Sequence, residues 1–259
     1  MIRIGVIGAG VIGQRIAQIA REHPSGTVIS GFLTRGGVPE CVEAESIPVA
    51  TTLDEFLKLG HDVVIESAGQ AALIEHGPQV LGAGKILVPA SVGSFAHPDI
   101  LNAHLEACKY SGGKIRLASG AISGLDALAA ARKAGLRRVR YVGVMAGMVE
   151  KDALPAEPRT DRVKVFAGTA REAALKFPKN ANLTLTIAMA GIGMDATEVE
   201  LYRDASAPRN VHELQAEGDF GSMKIVIEGV RISPSSPSSH IVPASLFNAA
   251  AGVYYLPVS

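Results

Sequence analysis

The stretch GVIGAGVIG, residues 5–13, decides the fold of the N-terminal half. It completes a short β-branched run that begins at Ile2, and a helical spacing of apolar residues follows it as far as Glu22, before His23 and Pro24. Strand, glycine turn and helix in that order give Gly8, Gly10 and Gly13 the context of a dinucleotide-binding motif. Gly8 permits the tight turn, Gly10 lets backbone approach a pyrophosphate, and Gly13 lets the helix pack on the strand. Val11 and Ile12 open that helix, whose first N–H groups and positive dipole end suit phosphates.

Outward from this motif, strands are predicted at 28–33, 62–66, 86–89 and 114–117, alternating with helical patterns near 70–83 and 98–110. In TTLDEFLKLG, Thr52 and Glu55 are spaced as a capping box, with Gly60 as the stop. Such alternation implies a parallel α/β sheet. An acid at the end of the second strand would bond ribose hydroxyls, but here that end reads LTRGG. Thr34 and Arg35 stand where a ribose 2′-phosphate would lie, which favours NADP, or use of both NADP and NAD.

The pattern changes after residue 118. A helix is predicted in SGAISGLDALAAARKAG with Ser123 as N-cap, then strands at 139–145 and 162–168 around an irregular stretch at 149–161. Helical patterns at 169–176 and 181–192 precede strands at 197–203, 210–217 and 222–228. Grouped strands with segregated helices indicate an α+β domain with a largely antiparallel sheet. The expected organisation is a Rossmann domain over 1–118, an α+β domain over 119–236, and a C-terminal segment over 237–259 whose helix covers 242–255.

The 259 residues are 47% hydrophobic, enough for a core without disulfides or metals. Lys+Arg and Asp+Glu are each 25, and this balance argues against nucleic acid or an anionic membrane as the main partner. Cys41 and Cys108 lack the spacing of a zinc or redox site, so no metal is expected. Glycines break the N-terminal apolar run, unlike a signal peptide, and no apolar window reaches the length of a membrane span. A soluble cytoplasmic protein acting on a small molecule is expected.

One histidine stands out. On the strand 210–217, alternation puts Asn210, His212, Leu214 and Ala216 on one face and Val211, Glu213, Gln215 and Glu217 on the other. The second set is largely polar, so His212 faces the packed side. That placement suits a core histidine as well as an acid/base. His23, His61, His76 and His97 flank helices or turns of the first domain, and His104 lies within a helix.

Three blocks, LASGAISGLDAL (117–128), FAGTAREAALKFPKNANLTLTIAMAG (166–191) and NVHELQAEGDFGSMKIVIEG (210–229), resemble in order and spacing those of the L-aspartate dehydrogenase family. The resemblance implies a Rossmann domain, a dimer-forming α+β domain, and a C-terminal helix that returns to the first domain. It implies NAD(P)-dependent oxidative deamination of L-aspartate or the reverse amination, with Ala121 and Asn182 at cofactor positions and His212 as the catalytic histidine. A group of unperturbed pKa near ~6.5 suits proton transfer in both directions.

Two segments depart from the family pattern. Where the family has N-P-K-T-S-x-x-T, this chain reads SPSSHIVP (236–243), with Ser238 and Ser239 for Lys-Thr, His240 for Ser and Pro243 for Thr. GVMAGMVEKDALP also lacks the family's Thr-x-Lys-Pro-Pro run. Ser239 and His240 are therefore weaker candidates for the substrate pocket, with Lys179 or Arg209 as possible carboxylate anchors. Two alternatives follow: a different amino- or imino-acid substrate, or a cofactor-binding regulator without turnover.

Overall fold

The computed structural model describes residues 1–23, 26–37, 46–146, 162–178, 181–233 and 238–252. Cys41, Lys179, the irregular stretch at 149–161, residues 234–237 and the last residues predicted for the final helix lie outside these. The chain divides into two compact units, one of residues 1–120 with the chain from Val242 onward, the other of Ala121–Ile241.

The first unit holds strands β1 (Ile2–Ile7), β2 (Thr27–Leu33), β3 (Val49–Ala50), β4 (Val63–Glu66), β5 (Ile86–Pro89) and β6 (Lys114–Ile115), in the order β3-β2-β1-β4-β5-β6. Every pairing is parallel. This is the doubly wound order, whose direction reverses between β1 and β4, so the ligand crevice falls beyond their carboxyl ends. Helices α1 (Val11–Glu22), α2 (Leu53–Lys58), α3 (Gln70–Gly82) and α4 (Pro98–Ser111) cover the sheet. The Thr52–Glu55 capping box forms as the spacing predicts, contributing about 1 kcal/mol, and Pro98 sits in the first turn of α4. A short 3-10 turn at Val92–Ala96, unforeseen in the sequence, leads into α4.

Two other glycines of this sheet have a steric reason. A Cβ at Gly5 would lie 2.6 Å from the His61 ring, and one at Gly31 would lie 2.4 Å from Leu59 and 3.4 Å from His61. His61 is thus packed under the sheet, its Nδ1 2.6 Å from the Ser30 hydroxyl. His104 is likewise buried, with Nδ1 2.8 Å from the Ile100 carbonyl and Nε2 3.1 Å from that of Leu73, tying α4 to α3. Both are structural.

The second unit holds α5 (Leu125–Lys133), β7 (Leu136–Ala146), β8 (Val163–Thr169), α6 (Ala170–Lys176), α7 (Asn182–Ala190), β9 (Glu198–Asp204), β10 (Asn210–Gly218) and β11 (Gly221–Gly229). Its sheet order is β11-β10-β7-β9-β8. Only the β7–β9 pairing is parallel, so the sheet is largely antiparallel as the strand grouping implies. Leu128 of α5 and the Ile187 carbonyl of α7 meet Gly191 beside Val139, which places these helices on the β7 face that carries Val139, Tyr141 and Gly143. The opposite face is ion-paired: Arg138 grips Glu198 at 2.8 and 2.9 Å, and Arg140 and Lys164 meet Glu200 at 2.9 and 3.0 Å.

One cap differs from expectation. Ser123 is exposed and does not cap α5; Gly124 takes the N-cap position at φ +80°, with no side-chain cap. A Cβ at 124 would lie 2.1 Å from Ile225 Cδ1, so the entry to α5 is set by close approach to β11.

The last helix, α8 (Val242–Ala251), belongs to the first unit. Leu246, Phe247, Ala250 and Ala251 are buried in one cluster with Ile4, Val6 and Ile16. Arg116 donates to the Ala249 carbonyl at 2.7 Å, placing a cation at the negative end of the helix. No helix among the described residues is long and apolar enough to cross a membrane.

Candidate active site

The glycine turn has the geometry that a dinucleotide needs. Gly8 sits at φ +100°, where a Cβ would also lie 2.8 Å from Ala68 on the loop after β4. A Cβ at Gly13 would come within 2.1 Å of the Gly8 carbonyl oxygen, so that position must be glycine for α1 to seat on its own turn. At Gly10 nothing lies within 4 Å, which leaves open space for a ligand. Gly10 is the N-cap of α1 and no side chain caps it, so the first-turn N–H groups at Val11 and Ile12 are not taken by a cap. The turn therefore fits a pyrophosphate.

A cavity of about 680 Å³ opens beside the turn, within the usual size range of cofactor pockets. Gly8 and Gly10 line one side, Thr34 and Arg35 another. Thr34 Oγ1 accepts from the Gly36 N–H at 3.2 Å, which bends the loop after β2, and Arg35 is exposed. Asp54 and Glu75 also line the cavity, so its charge is mixed rather than purely positive.

Glu66, at the end of β4, was not singled out in the sequence. Its carboxylate is fully buried and accepts from the Ala68 and Gly69 N–H groups at 2.8 Å and from the Ser91 N–H and hydroxyl at 3.0 Å. Burial pushes its pKa above the usual carboxylate value, against the pull of those four donors. Glu66 ties the loop after β4 to the loop after β5, and Ser67 binds the Ile7 and Gly8 carbonyls at 3.2 Å. A glutamate ending a strand reads as solvated, and its donors come from residues that show no pattern in sequence.

In the second unit, His212 stands opposite Gly143 on β7 and Ile227 on β11. Its Nδ1 lies 2.8 Å from the Tyr141 hydroxyl, and the two rings are stacked at 6.2 Å and 18°. Burial lowers the His212 pKa to about 4 and pushes that of the Tyr141 hydroxyl well above its ordinary value, so both are neutral near pH 7. Leu214 and Ala216, on the same face, are buried, as the alternation predicts. Asn182 opens α7, its carbonyl accepting from Thr186 at 2.9 Å, and Ala181 precedes it. Ala121 is half-buried in the loop before α5.

Ser239 lies at the His212 end of the β10–β11 hairpin. A Cβ at Gly229, which pairs with Asn210, would be 3.2 Å from Ser239 Oγ. That hydroxyl donates to the Val230 carbonyl at 3.3 Å, and the His240 N–H donates to the same oxygen at 2.7 Å. The His240 side chain and Arg209 are exposed. Arg231, overlooked in the sequence, is half-buried there and donates to the Ala146 carbonyl at 3.0 Å. Among the described residues no cluster of His, Cys, Asp and Glu forms a metal site, and the Cys108 thiol is pushed up by burial.

The aspartate dehydrogenase C-terminal family matches residues 126–253, and the NAD-binding domain of homoserine dehydrogenase matches residues 8–118. L-aspartate dehydrogenase 1 of Bordetella pertussis is 44% identical over 258 residues, covering 100% of this chain and 98% of that protein. The chain belongs to the L-aspartate dehydrogenase family. L-aspartate dehydrogenase of Ruegeria pomeroyi is 38% identical over 96% of this chain and 91% of its own length. The crystal structure of aspartate dehydrogenase from Thermotoga maritima superposes with a TM-score of 0.77 at 20% identity, covering 100% of this chain and 99% of that one, which shows the shared fold. As a member of this family the chain is an NAD(P)-dependent amino-acid dehydrogenase.

Proposed function

We propose that the chain catalyses NAD(P)-dependent oxidative deamination of L-aspartate to iminosuccinate, which water converts to oxaloacetate and ammonia, and the reverse amination. The observation that carries this reading is the 44% identity running through both units to an L-aspartate dehydrogenase. The residues of the first unit fit the cofactor: the turn at Gly8 and Gly10 receives the pyrophosphate, Gly13 seats α1 on that turn, and Thr34 and Arg35 meet the ribose 2′ substituent. Arg35 favours NADP, while Asp54 and Glu75 across the same cavity provide acceptors for the ribose hydroxyls of NAD. Bound nicotinamide supplies the hydride acceptor. Ala121 and Asn182 stand at the positions where the family contacts its cofactor.

His212 is the acid/base. Oxidation at Cα needs a proton taken from the substrate ammonium, and hydrolysis of the imine needs a proton moved between water and the departing amine. A neutral imidazole does both without a charged neighbour. Ser239 lies at the same end of the hairpin, and its engagement with backbone favours a second reading in which the family's preference for a dicarboxylate is relaxed. The chain acts as a homodimer in the cytoplasm.

The test is an assay of nicotinamide reduction across amino acids with NAD and NADP in parallel, repeated with His212→Ala. Turnover with aspartate is expected, falling about 10²–10⁴-fold in the variant while dinucleotide binding persists. A fully active variant removes His212 from the chemistry. Turnover with another amino acid alone selects the second reading, and binding without turnover of any substrate refutes catalysis.

A further inference from the structure

Tyr141 was not a candidate in the sequence, yet it is the partner of His212. The two lie on neighbouring antiparallel strands, but not opposite each other: His212 faces Gly143 and Tyr141 faces Leu214. They are diagonal neighbours on one sheet face, a separation that only a long side chain bridges. Tyr141 spans it by leaning over position 143, where a Cβ would lie 2.8 Å from its hydroxyl oxygen. Gly143 thus supplies the gap through which hydroxyl and imidazole meet.

The surroundings of the Tyr141 hydroxyl decide where the proton sits. The Tyr141 side chain is 4% exposed, and among the described residues its hydroxyl has one partner, Nδ1 of His212 at 2.8 Å. If Nδ1 carried the proton and donated to the hydroxyl, the tyrosine's own buried O–H would have nothing to donate to. If the hydroxyl donates and Nδ1 accepts, both groups are satisfied. The imidazole proton is then on Nε2, the nitrogen for which no partner exists among the described residues.

We propose that Tyr141 is a positioning residue for the reaction, its hydroxyl holding His212 in the neutral form that offers Nε2–H to the substrate. An N–H donor suits an oxygen: the keto oxygen of a 2-oxo acid or the hydroxyl of the carbinolamine formed when ammonia adds to it. The resting ring is therefore set for the amination direction. Taking a proton at Nε2 in the deamination direction first requires the ring proton to move to Nδ1, whereupon the Tyr141 hydroxyl turns from donor to acceptor. The contact survives both forms, and phenylalanine at 141 provides neither.

This rests on His212 being the acid/base, and the test separates the two ideas. The whole chain labelled with ¹⁵N-histidine is observed by two-dimensional ¹H–¹⁵N NMR at pH 7, with His212 assigned by its loss in His212→Gln. A pyridine-type Nδ1 and a pyrrole-type Nε2 are expected. In Tyr141→Phe the ring should average between tautomers or reverse, and kcat should fall about tenfold to a hundredfold with KM for the dinucleotide unchanged. A pyrrole-type Nδ1 in the unmodified chain overturns the proposal, whether or not the variant folds. So does a Tyr141→Phe variant with unaltered kcat and spectrum. Full turnover in His212→Ala would instead refute the role of His212 and leave the assigned tautomer standing.

Discussion

Glu66 in the first unit accepts four hydrogen bonds from three residues, whereas His212 in the second meets a single tyrosine hydroxyl. Both are polar side chains on sheet strands, and they differ in how much hydrogen-bonding capacity their surroundings take up. A carboxylate already accepting four bonds has little capacity left for a ligand, and its removal strands every donor at once. An imidazole with one nitrogen engaged is oriented but still has the other to offer. Buried polar groups are informative in proportion to what they leave unused.

The largest effect that tests this contrast is on stability. Glu66→Ala leaves the N–H groups of Ala68, Gly69 and Ser91 without their acceptor, and should cost about 3–5 kcal/mol in urea unfolding. A loss under about 1 kcal/mol would mean that water replaces the carboxylate, and the fastening role would fall.

Acid comes next. The His212 and His61 pKa values are each depressed to about 4 by burial, against about 6.5 unfolded. Below pH 6.5 the unfolded chain binds protons that the folded chain refuses, so their contribution is complete above pH 6.5 and fades as pH falls towards 4. Each histidine should account for roughly 1–3 kcal/mol of that fade. Denaturation measured from pH 7 to 4 should show the slope, reduced but not abolished in His212→Asn because His61 remains.

The smallest expected effect is on stability at neutral pH. His212→Asn should cost about 1–2 kcal/mol at pH 7, chiefly from the stranded Tyr141 hydroxyl. A loss matching that of Glu66→Ala would make His212 a structural residue and erase the contrast.

What the sequence disclosed follows the reach of each interaction. The β1–α1 turn, the Thr52–Glu55 box and the alternation of β10 depend on residues close in sequence, and they form where the pattern places them. Ser123 failed as a cap because Gly124 is held against Ile225, a contact 101 residues away that no local pattern carries. Tyr141 was missed for the same reason, being 71 residues from His212, and so was half of the Glu66 network: Ser91 is 25 residues away, although Ala68 and Gly69 are near neighbours. The family blocks pointed to His212, but its surroundings required the strand register.

The first unit is built from both ends of the described chain, with α8 fastened beside β1 and α1. The Gly120 N–H donates to Ser245 Oγ at 2.8 Å, so the chain leaves this unit and re-enters it at nearly the same point. In topological terms residues 121–241 are a guest inserted into a host whose severed ends already touch. A host closed by a short Gly/Ser bridge across that point would keep its sheet, its glycine turn and its last helix. The fold that carries the glycine turn is in that sense closed without the inserted residues.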